Sequence, residues 1–333
     1  MTIDANSERL LLLALEKRKH FVTGEPTSAW RAFNGFFEGD PSFSVDIYGQ
    51  TVVLHDHSKK PDQEKMLQVA HFYQNQLPFI TCAVIKARYA RNLEARAGII
   101  AFGGQRTGKI LENGVWYKVD LLLNQDASFY LDTLELRAWL KTNSQGKDVL
   151  NTFAYTGSLG VAALAGGANR VTQLDLNHRF LDLSIRGAEL NDLDTHKIQL
   201  IAMDFFLAVG RLKKSGRQFD TVILDPPFYS STQAGTVDLN NGMVRLINKV
   251  RPLIRDGGTL VCLNNALFQS GRQMMDSLSE ICKDGYVSIG QRLDVPADFF
   301  GFSSNVSTVL PSDPYPFNHS TKIILLNIRK KDS

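Results

Sequence analysis

The sequence predicts an α/β chain: a mostly parallel, doubly wound sheet with an antiparallel edge strand, preceded by a small α+β domain. Three observations carry this expectation. Strand-like and helix-like segments alternate five times in a row after Gly146. Three consecutive strands in that series end on an aspartate. Before about residue 130 the alternation is missing, and short strands meet at tight turns instead.

The elements follow in order. Residues 1–20 contain "LLLLAL" bracketed closely by acids and bases, which reads as an amphipathic helix rather than a secretion signal. "FSVDIYGQTVVLHDH" predicts two strands around a Tyr48-Gly49-Gln50 turn. Met66, Val69, Ala70, Phe72 and Tyr73 recur at helical spacing and predict a helix over 62–77. "PFITCAVIKARY" reads as a strand, and a hairpin is expected around Glu112-Asn113-Gly114. A helix over 131–144 opens the second part.

The five strand–helix units come next. Their strands are "KDVLNTF", "RVTQLDL", "HKIQLIAMD", "FDTVILD" and "GGTLVCLNN". A helix over 236–254 is expected after the fourth. "YVSIGQRLDV" and "KIILLNIRK" add a late pair that includes the antiparallel edge. The division is expected near residue 125. Residues 1–125 would hold the helix and the small α+β domain, suited to substrate recognition, and 126–333 the doubly wound domain.

At 333 residues the chain is long enough for two domains, and 44% hydrophobic against 21% charged residues gives it a real core. The net charge of +3 is spread along the chain, so it permits nucleic-acid binding without demanding it. Cys82, Cys262 and Cys282 lie far apart, with no CxxC or Cys/His metal spacing. No metal is expected, and the compartment reads as reducing. No stretch approaches a transmembrane length, and the expected location is cytoplasmic.

In a sheet of this kind ligands bind beyond the C-terminal strand ends, near the switch in strand order. After the first strand comes "NTFAYTGSLG", where Gly157 allows a tight turn into a helix N-terminus. Asp175 ends the second strand, where a carboxylate can accept hydrogen bonds from both ribose hydroxyls. Asp204 ends the third, placed to receive an adenine amino group with Phe205 beside the ring, or to cap the next helix. Asp225 ends the fourth and opens "DPPFYSS". Pro226 and Pro227 stiffen that loop and turn carbonyls outward, while Phe228 and Tyr229 can stack on an unpaired base. Nicotinamide enzymes share the first two features, but "FAYTGSLG" lacks their G-x-G-x-x-G spacing.

In this order "LNTFAYTGSLGVAAL", "QLDLN", "AMDFF" and "LDPPFYSS" resemble the motifs of Rossmann-like class I S-adenosylmethionine-dependent methyltransferases. More narrowly, the chain resembles the bacterial 23S rRNA large-subunit methyltransferase family, whose members make 5-methylcytosine or 7-methylguanine. The similarity runs from about residue 30 and includes "NQDASFYLDTLELR" and the tail "DPYPFNHSTKIILLNI". Some members begin with a small RNA-binding barrel, for which residues 1–29 are too short.

The resemblance implies S-adenosyl-L-methionine as cofactor and RNA, such as rRNA, as substrate. It implies a cofactor site of Tyr130, Asp132, Arg137, Phe153, Thr156, Gly157, Asp175, Asp204, Phe205 and Asp225. The catalytic loop would be Asp225, Pro226, Pro227 and Phe228, with Phe228, Tyr229, Asn264 and Asn265 on the substrate. Methylation of cytosine C5 requires a cysteine nucleophile. In the resembling enzymes it lies in the loop after the fifth strand, where this chain has Asn265, while Cys262 falls inside the strand. A guanine ring nitrogen is therefore the expected target. Arg31, Lys86, Arg88 and Arg91 are candidates for phosphate contacts. The alternatives are a methyltransferase acting on a protein or small molecule, and a noncatalytic RNA-binding protein that keeps the fold.

Overall fold

A computed structural model describes residues 3–22, 26–239, 242–300 and 312–330. The chain divides into two units: the described residues of Met1–Leu131 with Pro296–Val309, and those of Asp132–Val295 with Leu310–Ser333.

The first unit is built on a five-stranded sheet in the order β1 (Ala29–Phe33), β2 (Phe43–Tyr48), β3 (Thr51–Asp56), β4 (Cys82–Ala87) and β5 (Ile99–Phe102). β3 and β4 are parallel, and the other neighbours are antiparallel. β2 and β3 meet at Gly49, whose φ of +55° suits glycine. β6 (Lys109–Glu112) and β7 (Val115–Lys118) form the expected hairpin, with Asn113 and Gly114 both at positive φ.

Helices α1 (Ala5–Lys17), α2 (Lys19–Val22), α3 (Gln63–Gln76) and α4 (Leu93–Ala97) complete this unit. Asp4 caps α1 by accepting from the Asn6 and Ser7 amides at 3.1 and 2.9 Å. Leu10, Leu11, Ala14, Met66, Val69 and Tyr73 bury their apolar faces in one core with Trp30, Phe43 and Leu54 of the sheet.

Three of the candidate phosphate contacts already have protein partners. The Arg31 guanidinium pairs with Asp46 at 2.5 Å. Lys86 is buried on β4, donating to the carbonyls of Ala97 and of Asn124 (2.8 Å), and burial lowers its pKa to about 8. Arg88 meets Asp126 at 3.3 Å, and Arg91 is exposed.

The second unit opens with α5 (Leu134–Asn143) and then alternates strand and helix: β8 (Asp148–Thr152), α6 (Ser158–Ala165), β9 (Arg170–Asp175), α7 (His178–Glu189), β10 (Ile198–Ala202), α8 (Phe205–Lys214) and β11 (Phe219–Leu224). A hairpin of β12 (Tyr229–Thr232) and β13 (Gly235–Asp238) interrupts, before α9 (Met243–Val250), β14 (Ile254–Asn264), α10 (Gly271–Ile281), β15 (Val287–Leu293) and β16 (Lys322–Ile328). Where a helix was expected from 236, the structure has β13. Its segment Gly235-Thr236-Val237 pairs with β12, and the helix begins at Met243; Asn240 and Asn241 lie outside the described residues.

Among the described residues the sheet has seven strands in the order β10-β9-β8-β11-β14-β16-β15. The first five are parallel. β16 runs antiparallel to both β14 and β15, so the late pair closes that edge. Val222, Leu224, Leu260 and Cys262 pack with Val209, Leu212, Leu246, Ile247 and Leu278 of the flanking helices. Strand order reverses between β8 and β11. A crevice is therefore expected beyond the ends of those two strands.

Among the described residues no helix is long and apolar enough to cross a membrane.

Candidate active site

β8 ends at Thr152, and the chain then makes an unusual turn. Phe153, Tyr155 and Gly157 all have positive φ, of +56°, +51° and +76°. Two non-glycine residues in this region within three positions mark a backbone held by its surroundings. The Tyr155 amide donates to Asp175 at 2.8 Å. The Gly157 carbonyl accepts from the buried Gln173 side chain at 2.9 Å. A Cβ on Gly157 would lie 2.5 Å from the Ser184 Cβ and 2.7 Å from the Gln173 amide nitrogen. The glycine lets the loop sit directly on β9 and α7. Thr156 is buried beside it. Gln173 and Ser184 escaped the sequence reading because nothing in their spacing marks a residue beneath a glycine.

Asp175 stands half-buried at the end of β9. Burial raises its pKa, and the amides of Asn177 and Tyr155 oppose that shift. Each of its oxygens takes one of those amides, Asn177 at 3.0 Å and Tyr155 at 2.8 Å, which leaves lone pairs for further donors. Asp204 does what the capping alternative foresaw. One oxygen accepts from the Phe206 and Leu207 amides at 2.8 and 3.2 Å. The other accepts from the Thr232 hydroxyl at 2.6 Å, tying the β12–β13 hairpin to the start of α8. Phe205 is buried and stacks on Phe153 with ring centroids 4.6 Å apart.

Asp225 follows β11, directly across the strand-order reversal from the β8 loop. Burial, and then the nearby charge of Asp132, raise its pKa to about 7. Asp132 is held by the Thr321 hydroxyl at 2.8 Å. Pro226 is buried, and Pro227, Phe228 and Tyr229 are exposed. Arg137 is fully buried on α5 and donates to Thr133 at 2.7 Å. Tyr130 belongs to the first unit, where its hydroxyl donates to Asp126 at 3.1 Å.

The two asparagines at the end of β14 separate. Asn265 is exposed. Asn264, expected beside it on a base edge, is fully buried: its nitrogen donates to Gln269 at 2.5 Å and its oxygen accepts from the Ala266 amide at 2.9 Å. It shapes the loop instead. Lys322, paired with Asn264 across β14 and β16, supports the same loop by donating to the Ala266 carbonyl at 3.1 Å. Cys262 is buried within β14, and burial pushes its thiol pKa far up.

The strand ends thus present acceptors: carboxylates at Asp175, Asp204 and Asp225. That acceptor set suits a cationic nucleoside with ribose hydroxyls and an amino group, which fits S-adenosylmethionine.

The comparisons with known proteins agree. The family model described as S-adenosylmethionine-dependent methyltransferase matches residues 76–305. A protein of Aeromonas salmonicida named ribosomal RNA large subunit methyltransferase I is 29% identical over 76% of this chain and 65% of its own length. This chain therefore spans just under two thirds of that relative. A protein of the same name from Pseudoalteromonas translucida is 31% identical over 87% of this chain and 75% of its own length. The crystal structure of SMU.776 complexed with SAH superposes with a TM-score of 0.83 at 25% identity, covering 96% of this chain and 80% of the other. A methyltransferase structure from Agrobacterium tumefaciens shares the fold at a TM-score of 0.62 and 17% identity, over 93% of this chain and 92% of its own. With the family model spanning most of the chain and the acceptor-lined strand ends inside it, the chain belongs to the S-adenosylmethionine-dependent methyltransferase family.

Proposed function

We propose that this protein transfers a methyl group from S-adenosyl-L-methionine to a base in ribosomal RNA, with a guanine ring nitrogen as the acceptor. The observation that carries the reading is the run of three strand-end aspartates leading into Pro226, Pro227 and the exposed rings of Phe228 and Tyr229. The relatives named for rRNA support the substrate. A cytoplasmic location goes with it.

The bound cofactor supplies a methyl group on a cationic sulfur. The chain's own residues then bind and align. Asp175 accepts the ribose hydroxyls. Asp204 faces the adenine side, which Phe205 backs through Phe153. Phe153, Thr156 and Gly157 carry the turn against the cofactor, while Asp132 and Arg137 shape its pocket. Asp225 and the Pro226 carbonyl orient the base, Phe228 or Tyr229 stacks on it, and Asn265 meets its edge. The reacting nitrogen must be held about 3–3.5 Å from the methyl carbon and in line with the breaking bond. Guanine N7 has a free lone pair and no proton, so methylation there would need no general base from the chain. Buried Cys262 leaves covalent attack on a pyrimidine carbon without its thiolate.

The test is incubation with methyl-labelled S-adenosylmethionine and separated RNA and protein fractions from cells lacking this gene. Label in RNA, recovered as a methylated guanine after nucleoside digestion, is expected. Label in protein alone overturns the RNA substrate.

A further inference from the structure

β11 and β14 are parallel neighbours, with Leu224 opposite Cys262, so the loops that follow them leave the same edge of the sheet. Large apolar side chains stand exposed on both. Phe228 is 39% and Tyr229 62% exposed after β11, and Leu267 is 49% and Phe268 71% exposed after β14. Tyr315, at 59%, joins them from the tail. That tail is fastened to the β14–α10 loop: the Gly271 amide donates to the Asp313 carbonyl at 2.8 Å, and the Ser312 hydroxyl to the Gln269 carbonyl at 3.3 Å. A Cβ on Gly271 would lie 2.2 Å from the Pro314 carbonyl, so the glycine is what lets the tail lie this close. Arg272, exposed at the start of α10, lies over the Tyr315 ring at 5.3 Å. Asn264 and Lys322 hold the loop from beneath.

Exposed rings gathered on loops that leave one ligand edge of the sheet mark a binding surface. Planar rings at spaced positions with a guanidinium beside them match unpaired nucleotides: bases stack on the rings and the cation meets the backbone. An apolar protein partner would have no use for the arginine held against a ring.

We propose that Phe268, Tyr315 and Arg272 form a platform for unpaired nucleotides flanking the target, so that the substrate is a single-stranded RNA segment rather than a duplex. This rests on the proposed RNA reading and extends the Phe228–Tyr229 site along the strand.

The test uses Phe268→Ala, Tyr315→Ala and their double variant, with binding of a short unstructured oligoribonucleotide and of its duplex followed by fluorescence anisotropy. Methylation of total RNA from cells lacking the gene is run alongside, and S-adenosylhomocysteine affinity reports on the fold. Each ring loss should weaken single-strand binding about tenfold, and Phe268→Trp should restore it. Arg272→Ala should lower the salt slope of binding by about 0.7. Cofactor affinity should not move. Undiminished binding by the double variant, or equal binding of the duplex, overturns the platform while label in RNA keeps the methyltransferase reading. No label in RNA with the unaltered protein overturns both.

Discussion

Asp132 and Asp225 sit within electrostatic reach of one another: burial first, and then the Asp132 charge, raise the Asp225 pKa from 3.8 to about 7. The Thr321 hydroxyl donates to Asp132 at 2.8 Å. Asp225 thus feels the charge of a residue from before the sheet, which is itself held by a residue just ahead of the last strand.

A pH dependence follows. The folded pKa of Asp225 lies above its unfolded value, so the folded state binds the proton more tightly. Relative stability is then full below about pH 4 and is lost as pH rises toward 7. Asp225→Asn removes the charge at every pH. Its stability should match the parent near pH 4 and exceed it by pH 8, by about 1–2 kcal/mol once solvent at the half-buried carboxylate is allowed for. Thermal melts across that range check it. A constant difference between the two proteins would mean that the charge carries no penalty.

Asp175→Ala should weaken cofactor binding. The carboxylate takes the Tyr155 and Asn177 amides and keeps acceptor capacity for ribose hydroxyls. Hydrogen bonds to a charged acceptor contribute about 1.5–3 kcal/mol, so the affinity for S-adenosylhomocysteine should fall about 10- to 100-fold. Calorimetric titration measures this directly. Unchanged affinity would remove Asp175 from the ribose.

Much of this was legible in the sequence, and the exceptions share a physical cause. Local pattern decides where Asp175, Asp204 and Asp225 fall, because each ends an apolar strand before a helix or turn. Nothing local separates Asn264 from Asn265. Asn264 is the last residue of β14, paired with Lys322 of β16 and buried, and Asn265 is the first beyond the strand and exposed. The β12–β13 hairpin was hidden because its strands are four residues each and its anchor, Thr232 on Asp204, spans 28 positions. Gln173 and Thr321 act on residues 16 and 189 positions away, distances at which only the fold brings groups together.

Gly157→Ala tests the turn after β8. A methyl group would press on Ser184 at 2.5 Å and on Gln173 at 2.7 Å, at a φ of +76° that alanine resists. Positive φ for a non-glycine residue costs about 1–2 kcal/mol before any clash is counted. A lower melting temperature and weaker S-adenosylhomocysteine binding are both expected. Loss of stability with full affinity would show that the loop's path does not matter to the cofactor.

Cys262→Ala separates the two base chemistries. A 5-methylcytosine enzyme needs a thiolate that reaches the pyrimidine ring. Cys262 is fully buried in the middle of the sheet, opposite Ile324 of β16, and burial holds its thiol protonated. Its side chain acts as a small apolar filler. Replacing it leaves a small void, with an expected cost of about 1 kcal/mol. Methyl transfer to RNA should stay within about threefold of the parent, which is less than a 1 kcal/mol change in barrier. The label should still be recovered in a purine. A collapse of activity in a variant that still melts near the parent would instead assign the reaction to a thiol, and move the target from a guanine nitrogen to a pyrimidine carbon.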